Sequence, residues 1–181
     1  MFKKILVVIT IIIIILIVVL SQYKRQIENK SIDYFFNKGN YKTNIIKYLM
    51  VLDIPKINLK KGVCNFFEDC NNVNKNIEIH IKSDLPNEEN GSIIIMGHNG
   101  NSKISFFKTL DKLNINDIIY IHYENKTYEY ILNEIYDINK NGKASFIKDE
   151  GKNALFLITC KKKEKDKQTI YLSYLNDIIE R

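Results

Sequence analysis

The sequence predicts a mainly β protein, a closed or nearly closed β-barrel, behind an N-terminal membrane-spanning helix. Three observations carry this. Residues 5–20 are apolar except for Thr10. From Tyr48 onward, short strand-like runs alternate with turns at residues 49–54, 77–81, 93–96, 118–123, 127–138, 155–159 and 170–175. Only one stretch, residues 104–113, carries amphipathic helical spacing among them. Many short strands at such intervals point to a barrel rather than to a doubly wound sheet.

The N-terminal run comes first. As a helix it rises about 24 Å, slightly short of a hydrocarbon core of roughly 30 Å. Met1 and Phe2 extend it, and Lys3 and Lys4 can snorkel to the interface. A cleaved signal peptide ends in a small-x-small site, whereas this run ends Val18-Val19-Leu20-Ser21-Gln22-Tyr23. The reading is therefore an uncleaved anchor over residues 1–22, single-pass in the cell membrane. Basic residues stand on both sides of it (Lys3 and Lys4 against Lys24, Arg25 and Lys30) and discriminate orientation weakly. The short N-terminus and large C-terminal part favour an extracellular domain. Residues 23–47 are polar with scattered apolar positions and read as a helical stalk or packing segment. Residues 48–181 are long enough for one domain with one core.

The formal net charge is +6. The lysines are dispersed and accompany no nucleic-acid-binding motif, so nucleic acid is not expected as a partner. A cationic exterior suits an anionic envelope surface, and membrane lipid is the expected contact of the anchor.

Three cysteines outside the cytosol leave an odd one. Cys64 and Cys70 are close enough in sequence to bridge each other, which would leave Cys160 as the free thiol. A zinc site from Cys64, Cys70 and His80 lacks a fourth ligand and the usual spacing. Neither a metal nor a cofactor is expected.

Two strand-like runs each end in a reactive side chain. Residues 93–96 lead through Gly97 to His98, and residues 154–159 lead to Cys160. A thiol and an imidazole at strand ends are what thiol acyl transfer needs. The plain alternative is that Cys160 is inert packing, as most buried cysteines are. Beyond Cys160 a lysine-rich loop, residues 161–167, joins the next run as a hairpin. Its plain role is a solvated tip, and it also raises the local positive potential, which favours a thiolate. A register pairing Cys160 with Gln168 would set their side chains on one face. His122, within residues 118–123, reads as facing solvent or a neighbouring strand, and His80 as structural.

At these residues the chain resembles the sortase family. Leu157-Ile158-Thr159-Cys160 is similar to the family's TLxTC signature, and Gly97-His98-Asn99-Gly100 to its histidine motif. Leu52-Asp53-Ile54-Pro55-Lys56-Ile57-Asn58-Leu59 resembles the first-strand motif. Phe106-Phe107-Lys108-Thr109-Leu110-Asp111-Lys112-Leu113, followed by Asn116-Asp117, resembles the family's helix and turn. The ordered set spans residues 50 to 175.

The resemblance implies an eight-stranded barrel and a cysteine transpeptidase of the Gram-positive cell surface. It implies surface-protein substrates bearing a C-terminal LPxTG-like or NPxTN-like sorting signal. Cys160 would form the acyl-thioester, and His98 would serve as acid and then base. The acceptor would be an amine of a peptidoglycan precursor or of a pilin. Thr159 and nearby backbone would help hold the oxyanion.

The chain departs from the family at one point. Sortases place an arginine on the strand after the cysteine, and this chain has only Arg25 and Arg181. Gln168 stands at the expected place, able to donate hydrogen bonds but carrying no charge. Lys167 is a second source of charge if it turns inward. The L,D-transpeptidase reading fails on spacing, since His98 and Cys160 are far apart in sequence. A sortase-like module that binds sorting signals without turnover is the alternative function. For the subclass, the short connection between residues 136 and 155 leaves little room for a long helical insertion, and no lid segment precedes the barrel.

Overall fold

The structure is a computed structural model that describes residues 2–38, 45–140, 148–164 and 166–181. Residues 39–44 of the expected stalk, Lys165 of the hairpin loop and residues 141–147 of the 136–155 connection lie outside the described residues. The chain divides into two compact units, Met1–Lys47 and Tyr48–Arg181.

The first unit is built on α1 (Phe2–Asn37). It carries an 18-residue window of mean hydropathy 3.3 and is long and apolar enough to cross a membrane. Its isoleucines, leucines and valines between residues 5 and 20 are exposed on every side. A helix apolar all round and covered by no protein is suited to lipid. The helix runs without interruption through position 22. Near its end the Ser31 hydroxyl donates to Ile27 O at 2.7 Å and accepts from Ile46 N at 2.9 Å.

The second unit is an eight-stranded, nearly closed barrel. Its strands are β1 (Met50–Ile54), β2 (Leu59–Val63), β3 (Glu78–Ile79), β4 (Ser92–Met96), β5 (Ile118–Tyr123), β6 (Lys126–Asn139), β7 (Ala154–Cys160) and β8 (Lys167–Glu180). The sheet order is β2-β1-β5-β6-β8-β7-β4-β3, and β4 with β7 is the parallel pair in an otherwise antiparallel ladder. Pro55 ends β1, a 3-10 turn follows over Pro55–Ile57, and Asn58 in the left-handed region (φ 50°) starts the return as β2. β2 does not stand out in the sequence because it begins Leu59-Lys60-Lys61. Lys61 is nevertheless only 6% exposed, its ammonium lying 3.8 Å from the centre of the Phe106 ring.

The edge strands β2 and β3 are stitched by side chains instead of a ladder. Asn76 Nδ2 donates to Gly62 O at 2.8 Å, and Asn71 exchanges hydrogen bonds with the Ile79 backbone at 2.8 and 3.1 Å. Cys64 and Cys70 in the intervening loop form a disulfide with Cα atoms 5.8 Å apart. Such pairing satisfies edge groups that would otherwise invite another strand.

The main core lies inside the barrel, with Leu52, Ile95, Phe107, Ile121, Tyr130 and Leu157 among its members. A second apolar cluster covers the opposite face of β4, β7 and β8, formed by Ile94, Phe156, Ile158, Ile170 and Leu172. β4 and β7 are therefore buried on both faces. That is why their sequences are continuous apolar runs rather than alternating ones.

Residues 104–113 correct the sequence expectation of a helix. They form successive turns that end in a 3-10 turn, Leu110–Lys112. Phe107, Leu110 and Leu113 are the buried apolar residues there, three apart. The backbone follows the same period, Leu110 N bonding Phe107 O and Leu113 N bonding Leu110 O. An i, i+3 stripe of this kind satisfies a 3-10 turn as well as an α-helix. β8 extends well beyond the expected residues 170–175 because it pairs with β6 along its whole length. The run at 77–81 shrinks to two residues, since the chain turns after His80.

Candidate active site

β4 and β7 run side by side in register, with Met96 paired to Ile158. The pairing continues past the last ladder rung. Gly97 N donates to Ile158 O at 3.1 Å, and the Thr159 hydroxyl donates to Gly97 O at 2.7 Å. Two steps past the last paired residues, His98 comes level with Cys160, the last residue of β7. Residues distant in sequence are thus neighbours because two parallel strands share a register.

Gly97 is required by its surroundings. A Cβ there would lie 2.7 Å from the Phe107 ring, and Phe107 is fully buried. Phe107 N in turn donates to His98 O at 3.0 Å, folding the loop back beneath the histidine. On the imidazole, Nε2 lies 3.1 Å from Asn74 Oδ1. An amide oxygen only accepts, so a neutral His98 carries its proton on Nε2 in this contact and leaves Nδ1 as its open nitrogen.

Cys160 is a free, half-buried thiol at the last position of β7. Asn99 Nδ2 donates to its carbonyl oxygen at 3.1 Å. Across the β7–β8 hairpin Cys160 is paired with Gln168, and Gln168 is paired on its other side with Ile138 of β6. The three residues form one row across three strands on the face of the second apolar cluster. Just beyond β6, Lys140 places its Nζ 3.9 Å from Cys160 Sγ.

The lysine-rich loop is more organised than a solvated tip. Lys161 Nζ bridges Asp137 and Glu164, each at 2.7 Å, and Lys167 contacts Glu164 at 2.8 Å. Hydrogen bonds from Lys161 and then Lys167 pull the Glu164 carboxyl down to about 2. The Lys161 hydrogen bond likewise holds Asp137 below its ordinary range, with Thr169 assisting. Lys162 reaches over to the loop after His98, donating to Lys108 O at 3.0 Å and pairing with Asp111 at 2.5 Å. The loops that follow the histidine and the cysteine are therefore tied together.

Of the residues singled out in the sequence, the structure brings His98, Cys160 and Gln168 to one corner of the barrel. Thr159 is adjacent, but it is only 2% exposed and its hydroxyl is committed to Gly97 O. Asn74 and Lys140 carry no signal in the sequence, whereas Asn99 stands in the histidine motif and Lys162 in the lysine-rich loop. The Cys64–Cys70 disulfide removes both cysteines as zinc ligands. His80 Nδ1 accepts from Lys82 N at 3.2 Å within a turn. His122 sits between β1 and β6, with Nδ1 2.9 Å from Thr127 Oγ1 and Nε2 3.5 Å from Asp53 Oδ2.

The barrel has counterparts among known proteins. The family model for the sortase domain matches residues 52–174. Sortase C-1 from Actinomyces oris superposes with a TM-score of 0.63 at 19% identity, covering 71% of this chain and 73% of that one. Sortase A from Listeria monocytogenes gives 0.62 at 18% identity, covering 74% and 90%. A lid mutant of sortase A from Corynebacterium diphtheriae gives 0.64 at 18% identity, covering 84% and 89%. No curated protein sequence matches. The chain belongs to the sortase family, a family of cysteine transpeptidases that act on surface proteins carrying sorting signals.

Proposed function

We propose that this protein is a membrane-anchored sortase that cuts a C-terminal sorting signal and joins the released acyl group to an amine. The observation that carries the reading is the parallel β4–β7 register, which sets His98 level with Cys160 at the strand ends. In the first half-reaction, Cys160 Sγ passes its proton to His98 and attacks the scissile carbonyl carbon. A C–S bond forms, the C–N bond breaks, and His98 gives a proton to the departing amine. In the second, His98 takes a proton from the incoming amine as that nitrogen displaces Cys160. Holding the acyl group as a thioester lets an amine rather than water accept it.

The pairing of Gln168 with Cys160 supports a role for its amide as a donor to the substrate carbonyl. Thr159 contributes by holding the two strands in register through Gly97. The acceptor is an amine of a cell-wall precursor or of a pilin. The exposed apolar span of α1 supports a single-pass anchor over residues 1–22, a following segment to residue 47, and an extracellular domain over 48–181.

The test is to incubate the full chain in detergent with a library of sorting-signal peptides and hydroxylamine. Hydroxamate formation is expected, and it should be lost in Cys160→Ala and in His98→Ala. Peptide binding without hydroxamate or a trapped thioester would instead mark a binding module without turnover.

A further inference from the structure

We propose that Lys140 supplies the positive charge at the thiol, from the end of β6 instead of from β8. The inference rests on the reading of Cys160 as the nucleophile. Within the barrel unit, Arg181 is bound to the β5–β6 turn through Asn125 O and Glu124 O. The length of β6 separates that turn from Lys140. Gln168, directly opposite Cys160, is neutral.

Among the described residues, Lys140 is the lysine in contact with the thiol, and the charged groups of the neighbouring segments are engaged with one another. From the hairpin, Lys161 is held by Asp137 and Glu164, and Lys162 by Asp111 and Lys108 O. From β8, Lys167 is held by Glu164, and Asp166 gives its backbone oxygen to Lys140 N at 2.6 Å. From the β4 side comes His98. Among the described residues, the ammonium of Lys140 contacts Cys160 Sγ and no carboxylate. Its backbone is fixed by Asp166 O, so the side chain extends from an anchored point.

An ammonium at that distance offsets negative charge on Sγ before attack. It then offsets the charge that moves to the carbonyl oxygen when the C–S bond forms. Lys140 keeps its proton throughout, and His98 alone moves one. A lysine is a compact point charge without arginine's fork, so it can follow the charge from sulfur to oxygen but cannot fix substrate orientation in two places. Orientation then falls to the Gln168 amide.

The test uses the full chain in detergent with Lys140→Met, Lys140→Gln and Lys140→Arg. Two readouts are compared, Cys160 alkylation by iodoacetamide without substrate at pH 7, and hydroxamate formation with a peptide. Lys140→Met and Lys140→Gln should slow alkylation roughly threefold to tenfold, and the difference should shrink in 1 M salt. Both should lower kcat for hydroxamate roughly ten- to hundredfold with KM within about twofold. Lys140→Arg should stay within about threefold of the parent. Parent-like rates in both neutral variants would overturn the proposal, as would a loss of rate shared by Lys140→Arg. If the parent forms no hydroxamate, the transpeptidase reading fails. The alkylation rates still decide whether Lys140 acts on the thiol.

Discussion

The Thr159 hydroxyl donates to the carbonyl oxygen of Gly97 at 2.7 Å, in a buried position one residue before Cys160 and one before His98. This bond extends the β4–β7 pairing into the segment where the strands give out. It fixes the spacing of the two reactive side chains without touching either.

Thr159→Val should therefore leave Gly97 O buried without its donor, at a cost of about 1–2 kcal/mol in denaturant unfolding. Turnover should fall as well, because the alignment of His98 with Cys160 loosens. Thr159→Ser keeps the donor and should recover most of both. A Ser variant as damaged as the Val variant would mean that packing, not the hydrogen bond, is what matters.

Gly97→Ala places a Cβ against the Phe107 ring, where neither residue has room to move. Overpacking of this kind costs roughly 1–3 kcal/mol. The combination Gly97→Ala with Phe107→Leu should be less destabilising than the sum of the two single changes. Chemical denaturation of the four proteins measures the coupling.

Asn74 holds His98 from the loop that the Cys64–Cys70 disulfide braces. Asn74→Ala should reduce kcat several-fold with little change in melting temperature. Reducing the disulfide, or replacing both cysteines with serine, should cost about 2 kcal/mol by releasing a short loop in the unfolded chain. The same change should lower kcat further than stability alone accounts for.

Asp53 supplies a pH signature. Burial disfavours its charge, but hydrogen bonds from His122 and Lys60 outweigh it and hold the carboxyl below its ordinary 3.8. A depressed folded value means that ionised Asp53 adds stability above about pH 3.8. That contribution is lost as pH falls through the lower folded value. Asp53→Asn should destabilise the protein at pH 6, and the difference from the parent should shrink as the pH is lowered below about 3.8, measured by unfolding across that range.

Much of this architecture was legible because the strands that build the site are buried on both sides. β4 and β7 read as uninterrupted apolar runs, so their ends, and with them His98 and Cys160, stood out. Register across the hairpin was also readable, since Cys160 and Gln168 follow from the loop length. β2 was hidden by the lysine pair at its start, whose second member is buried against Phe106. The 104–113 stripe fitted two helical periods equally. Lys140 and Asn74 had no local signal at all. Each reaches the site from a strand end or loop whose nearness is a property of the closed sheet, not of the chain's local pattern.

The short separation of Cys64 and Cys70 also bears on how the chain oxidises. Cys160 lies about 90 residues beyond Cys70, so in the unfolded chain the six-residue closure is favoured over one involving Cys160 by roughly sixtyfold on chain statistics. The local bond consumes its own two thiols early. The third thiol is left to meet its histidine only when β4 and β7 pair. In an oxidising environment, chain spacing itself acts as the protecting group for Cys160.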